Sequence, residues 1–284
     1  MLDSLFFMVI STLLFPLFFI LVICIFRSKI KKERSTALGK AKNSVRNDVP
    51  FFRDIPCNGD IFLVYWVAVN YNLLEKREDF LGAILLKWIH NGNVRMEKVI
   101  KNNFLGKKEC IHLIFCKRPE DTFDLEDKIY DFMYESSRDG ILESNEFVDW
   151  CGRNASKLLS WFDDVLYFQT MKLLKQGKVS YSKGKKSPGF SYSYFDIDPS
   201  MMEEAEKLAG LKKFLEEFTL IHERKIIEVQ LWKEYLIYAQ MFGLADKVTD
   251  QFEKLYPDII IDMKSTGYLY QDMGFIGLAI ASLM

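Results

Sequence analysis

The residues that could do chemistry are few and scattered. His90, His112 and His222 stand alone, none with a second His or Cys at metal-ligating spacing, so each reads as a structural or surface residue. No G-x-S-x-G, H-E-x-x-H, G-x-G-x-x-G or G-x-x-x-x-G-K-S/T string occurs, which leaves the common nucleophile, zinc and nucleotide motifs unfilled. Gly106-Lys107-Lys108 and Gly184-Lys185-Lys186 hold the Gly-Lys pair of a phosphate loop without the rest of it. Asp163-Asp164 lies inside a helical pattern and fits a solvated face better than a catalytic carboxylate pair. Cys24, Cys57, Cys110, Cys116 and Cys151 form an odd set without C-x-x-C, which suits reduced thiols; Cys110 and Cys116 alternate on a strand pattern, with one or both expected to be buried. No catalytic residue, cofactor or metal is assigned, and the expectation is a protein that is not an enzyme.

Three sets of residues could bind rather than react. Arg27, Lys29, Lys31, Lys32 and Arg34 could meet anionic lipid headgroups, each contributing on the order of 1 kcal/mol, although fixing topology is their simpler use. Lys183, Lys185 and Lys186, with Lys178, Tyr181 and Tyr192 nearby, could reach nucleic-acid phosphates from a hairpin wing. The helix expected before that wing, 155–176, argues the other way. It carries Asp163 and Asp164 against Lys157, Lys172 and Lys175, and no Arg, the best guanine reader. Trp232, Tyr235, Leu236, Ala239 and Phe242 recur at helical spacing and share one face. Core packing is the favoured reading of that stripe; a partner-docking face at Trp232, Tyr235 and Phe242 is the alternative.

These residues must be positioned by a chain of marked asymmetry. Residues 5–26 carry no formal charge and, as a helix rising about 1.5 Å per residue, match a hydrocarbon core of roughly 30 Å. Residues 27–50 follow with eight Lys/Arg against two acids and read as a basic juxtamembrane linker. By the positive-inside rule the short N-terminus lies outside and the body in the cytoplasm. A cleaved signal peptide would want a basic n-region and a small-residue cleavage site, and neither is present.

The body begins near Pro50. Cys57-Asn58-Gly59-Asp60 signals a turn with Asp60 as N-cap of a helix over 61–74. A second helix over 78–91 ends at Gly92, and strands over 94–100 and 110–117 flank a loop. Residues 86–94 are echoed at 171–179, each copy with a helix end, a Gly stop and a strand. Helices over 125–136, 144–151 and 155–176 precede a second hairpin, 178–182 with 190–195. Helices over 199–218, 227–242 and 244–256 follow, and the 11-residue apolar tail 274–284 is too short to cross a bilayer. The expected fold is mainly α with short β-hairpins (α+β). One transmembrane helix (1–26) and the linker (27–50) precede winged-helix-like units at 51–122 and 123–198 and a C-terminal helical section at 199–284.

Four stretches carry a resemblance. They are F-F-R-D-I-P-C-N-G-D-I from Phe51, F-L-G-A-I-L-L-K-W from Phe80, L-K-K-F-L-E-E-F-T-L-I-H-E-R from Leu211, and L-W-K-E-Y-L-I-Y-A-Q-M-F-G-L-A-D-K-V from Leu231. Together they resemble the cytoplasmic part of the YciQ-like predicted bacterial membrane proteins, a family built on domain of unknown function 2207. The resemblance implies a membrane protein with a cytoplasmic region and transfers no catalytic residue. A counterpart of the family's usual extracytoplasmic domain is not expected here, and neither is a sensing role that depends on one. With 38 basic and 39 acidic residues in the whole chain and eight against three before residue 51, the body holds 30 against 36, a net of −6. A globally basic nucleic-acid binder is not expected. The expected function is a membrane-anchored protein-interaction or scaffolding module of unidentified partner, with a membrane-tethered winged-helix DNA-binding regulator as the alternative.

Overall fold

The structure, a computed structural model, describes residues 44–46, 48–103, 106–120, 123–137, 139–187, 190–217, 232–245 and 247–248. Among them no helix is long and apolar enough to cross a membrane. The apolar run 5–26, the basic residues Arg27, Lys29, Lys31, Lys32 and Arg34, His222 and the tail 274–284 lie outside the described residues.

The described chain is mixed α+β, with six α-helices and two small antiparallel sheets. Helix α1 (Ile61–Asn70) starts where Asp60 Oδ1 accepts the Phe62 and Leu63 N–H groups at 3.1 Å each, satisfying two donors that no helical carbonyl can reach. The helix is apolar all round and correspondingly buried, from Ile61 to Ala68 with only Leu63 half-exposed. Helix α2 (Asp79–His90) is buried over most of its surface too. Tyr65 of α1 stacks on Phe80 of α2 at 4.1 Å, and Phe80 on Trp161 at 5.8 Å, so an aromatic column forms the centre of the core.

Strands β1 (Val94–Asn103) and β2 (Gly106–Phe115) pair from Val94↔Phe115 to Asn103↔Gly106. The pairing runs further toward the turn than the expected strands, through residues expected to form a loop. Ladder hydrogen bonds need no apolar face, so Lys101, Asn102, Lys107 and Lys108 continue the strands. Helix α3 (Asp124–Ser137) leads to a strand absent from the sequence reading, β3 (Ile141–Glu143), which pairs with β2 through Leu113↔Leu142. That pairing crosses the boundary drawn between residues 122 and 123.

Helix α4 (Ser144–Lys175) is continuous except at Asn154, whose φ of −122° and ψ of 24° place a kink where the sequence reading ends one helix and starts another. Strands β4 (Val179–Ser187) and β5 (Phe190–Ile197) form the second hairpin, with a register shift between Lys185 and Ser187. The loop expected over residues 183–189 is therefore mostly strand. The internal repeat holds at atomic level. Gly92 and Gly177 share a φ of 71°, and in each copy the next residue's N–H returns to the helix, Asn93 to Trp88 O at 2.8 Å and Lys178 to Leu173 O at 2.9 Å. Both helices thus end in the same glycine-dependent stop. Helices α5 (Ser200–Glu216) and α6 (Trp232–Met241) complete the body, α6 packing chiefly on α2.

Candidate functional site

The most site-like place is the turn before α1. Cys57 (φ 54°), Asn58 (φ 51°) and Gly59 (φ 78°) are three consecutive residues in the left-handed region. For Gly59 this is free; for Cys57 and Asn58 it costs about 1–3 kcal/mol each, so surrounding contacts must hold it. They do: Glu204 Oε2 of α5 accepts the Cys57 N–H at 3.0 Å, and Asp60 N–H donates to Cys57 O at 3.1 Å. Lys207 braces Glu204 at 2.8 Å and Glu203 at 3.1 Å, while Lys172 of α4 reaches Asp60 Oδ2 at 3.1 Å. Three segments of chain distant in sequence meet at this one turn.

Its electrostatics are those of a latch. Burial, then the charge and hydrogen bond of Glu204, push the Cys57 thiol well above its ordinary range, so it stays protonated and is a poor nucleophile. Burial works against the charge on Glu204, but Lys207 and the Cys57 N–H outweigh it and hold the carboxyl below its usual range. The buried hydroxyl of Tyr238, on α6, has no hydrogen-bond partner among the described residues, and burial raises its pKa.

A second polar joint ties α2 to α3. Glu126 is 2% exposed and accepts from Lys87 Nζ at 2.9 Å and from Trp88 Nε1 at 2.9 Å. A buried carboxylate is tolerated only with such partners, so this joint fixes where α3 sits.

Among the described residues, those singled out in the sequence are not brought together. His90 buries an unpartnered Nδ1, and His112 Nε2 lies 3.5 Å from Glu143 Oε1. Asp163 pairs with Arg77 at 3.5 Å and Asp164 with Lys128 at 3.0 Å, on the surface. Cys116 is exposed and follows β2, and Cys151 is buried. Lys183, Lys185 and Lys186 are backbone positions of β4. In the Trp232 stripe, Tyr235 and Phe242 are 0% and 1% exposed, so the packing reading describes them and the face they share is covered by the chain itself. Tyr235 donates its hydroxyl to Arg53 O at 2.6 Å and meets Phe214 edge to face at 5.5 Å. Trp232 is the first residue of α6. Among the described residues no three His, Cys, Asp or Glu side chains converge to hold a metal ion.

Sequence reasoning missed Glu204, Lys207, Glu126 and Tyr238. Only the Cys57-Asn58-Gly59-Asp60 string pointed toward the first cluster, and as a turn rather than a meeting point.

The arrangement defines a class: a helical body with two β-hairpin arms, held by polar joints between segments distant in sequence. Residues 190–252 match the family model described as the C-terminal domain of a predicted membrane protein, domain of unknown function 2207. The matched range spans β5, α5 and α6, and α6 packs chiefly on α2. No curated protein and no solved structure matches the chain.

Proposed function

We propose that the chain is a single-pass membrane protein whose residues 5–26 span the bilayer, with the N-terminus outside and the body in the cytoplasm. The body, read as two winged-helix-like units and a helical section, serves as a non-catalytic protein-interaction module. The membrane part rests on the apolar run, its one-sided basic flank and the family description. The observation that carries the interaction part is a run of rings at the surface of α4. Tyr167 and Phe168 are 60% and 46% exposed, 5.9 Å apart, with Phe168 also 6.2 Å from Phe123. Aromatic side chains are what protein interfaces are enriched in, and their burial would be the gain on binding. A photo-crosslinking residue in place of Tyr167, in the full chain in its own membranes, is expected to give one discrete adduct that Phe168→Ala strongly weakens. An absent adduct, or one indifferent to Phe168→Ala, overturns the reading.

The tethered DNA-binding regulator is the second reading, favoured by the twice-repeated order of helices followed by a hairpin. It requires α4 to approach a duplex with Asp163 and Asp164 on its surface. It predicts salt-dependent duplex binding that the Lys183→Glu, Lys185→Glu, Lys186→Glu triple variant abolishes.

A further inference from the structure

The basic charge of the body is concentrated at the two hairpin ends. From the Lys98↔Ile111 pair to its turn the first hairpin holds Lys98, Lys101, Lys107 and Lys108 against Glu109; from the Tyr181↔Phe195 pair the second holds Lys183, Lys185 and Lys186 and no acid. These seven leave 23 basic residues against 35 acidic ones in the rest of 51–284, so two arms of +3 each are set against a remainder of −12. In each arm a Gly-Lys-Lys string lies in a strand. Gly106 closes the last pair of the first ladder with Asn103, and Gly184 pairs with Tyr192 in the second. Apolar side chains stand in water on the same arms. Ile100 is 60% exposed, and the cross-strand pair Tyr181–Phe195 is 59% and 45% exposed with rings 5.4 Å apart. Lys183 and Lys185 occupy β4 positions of the same parity as Tyr181.

We propose that the two hairpin ends are contact arms for the anionic lipid surface of the membrane that anchors the chain, an inference that rests on residues 5–26 being that anchor. Charge complementarity commits the arms to an anionic surface, and three observations make that surface lipid rather than nucleic acid. None of the seven basic residues is Arg. A phosphate backbone offers nothing to Ile100, Tyr181 or Phe195, whereas the headgroup region accepts both lysine and partly buried apolar or aromatic side chains. The 24 residues of 27–50, even fully extended, keep the body within about 85 Å of the bilayer, so the arms meet this surface at high local concentration. The acidic remainder is repelled by the same leaflet, which orients the arms toward it.

The test uses the full chain in lipid nanodiscs, of phosphatidylcholine alone and of three parts phosphatidylcholine to one part phosphatidylglycerol. Amide hydrogen exchange is followed across 98–108 and 178–195. Exchange at both hairpin ends is expected to slow by about tenfold or more in the anionic discs only, to recover in high salt, and to recover in one arm at a time. Lys101→Glu, Lys107→Glu, Lys108→Glu should release the first arm, and Lys183→Glu, Lys185→Glu, Lys186→Glu the second, with exchange of the α1 and α2 amides unchanged as the check on folding. Equal exchange in the two disc types overturns the proposal. So does protection by a DNA duplex added to neutral discs where anionic lipid gives none. Retention in the discs after alkaline carbonate reports the span separately. A chain that washes out refutes the anchor and with it the proposal's premise, whereas a retained chain with unprotected arms refutes the arms alone.

Discussion

Asp79, the first residue of α2, is the titratable group through which stability should respond to mild acid. Burial, then the neighbouring Glu78 carboxylate, raises its pKa from 3.8 to about 6. The folded state therefore holds this proton more tightly than the unfolded chain does. Stability from this group is fully present below about pH 4, falls as pH rises to about 6, and is level above. Asp79→Asn is expected to match the wild type near pH 4 and to melt at a higher temperature at pH 7, read by thermal denaturation at both. A variant with the same deficit or gain at both pH values would show that Asp79 does not carry this dependence. Residue-scale signals of this kind were partly legible. Asp60 reads as an N-cap and Gly92 as a helix stop because each acts on backbone groups a few positions away, and both do so here. Glu204 and Glu126 were not legible, because their partners Cys57 and Trp88 lie 147 and 38 residues distant and no local pattern encodes such a pairing.

At the scale of elements, two glycines measure how closely helices approach. A Cβ on Gly210 of α5 would lie 2.5 Å from Pro50 O and 3.0 Å from Phe52 Cβ, against backbone that cannot move without dislodging the segment. A Cβ on Gly82 of α2 would lie 2.6 Å from Nε2 of Gln240, the far end of a flexible side chain. Gly210→Ala is thus expected to cost about 1–3 kcal/mol or more, and Gly82→Ala markedly less, offset further by alanine's better helix propensity. Chemical denaturation midpoints of the two variants check the order, and equal losses would contradict it. The elements themselves were largely visible from apolar periodicity and glycine stops. What periodicity could not supply was extent where no face is apolar, as in the strand residues Lys101–Asn103 and Lys183–Ser187, or the three-residue β3, too short to show alternation.

At the scale of the whole molecule, the body is closed by segments from both of its ends. Residues 49–53 run across α5 and α6, with Lys213 Nζ on Val49 O at 3.2 Å and Phe51 against Phe214 at 6.5 Å, and α6 covers α2. A chain ending at residue 198 loses that cover and exposes the apolar α2. Residues 44–198 are therefore expected to give no cooperative thermal transition where residues 44–284 give one, read by circular dichroism. A cooperative transition in the shorter chain would show that residues 44–198 fold without that cover. Sequence distance hid this closure, since the segments that touch are about 160 residues apart, as Val49 and Lys213 are.

The same closure sets how the body would carry a mechanical load. Any pull arriving along the chain from upstream of residue 44 meets first the Arg46–Glu206 ion pair at 3.1 Å, then the Lys213 grip on Val49 O, then Pro50 seated on Gly210, then the Tyr235 bond to Arg53 O. All four are made with α5 or α6, so tension entering at the N-terminal end passes into the C-terminal helices before it reaches the left-handed turn at Cys57 or α1. Detaching the segment means shearing those contacts together.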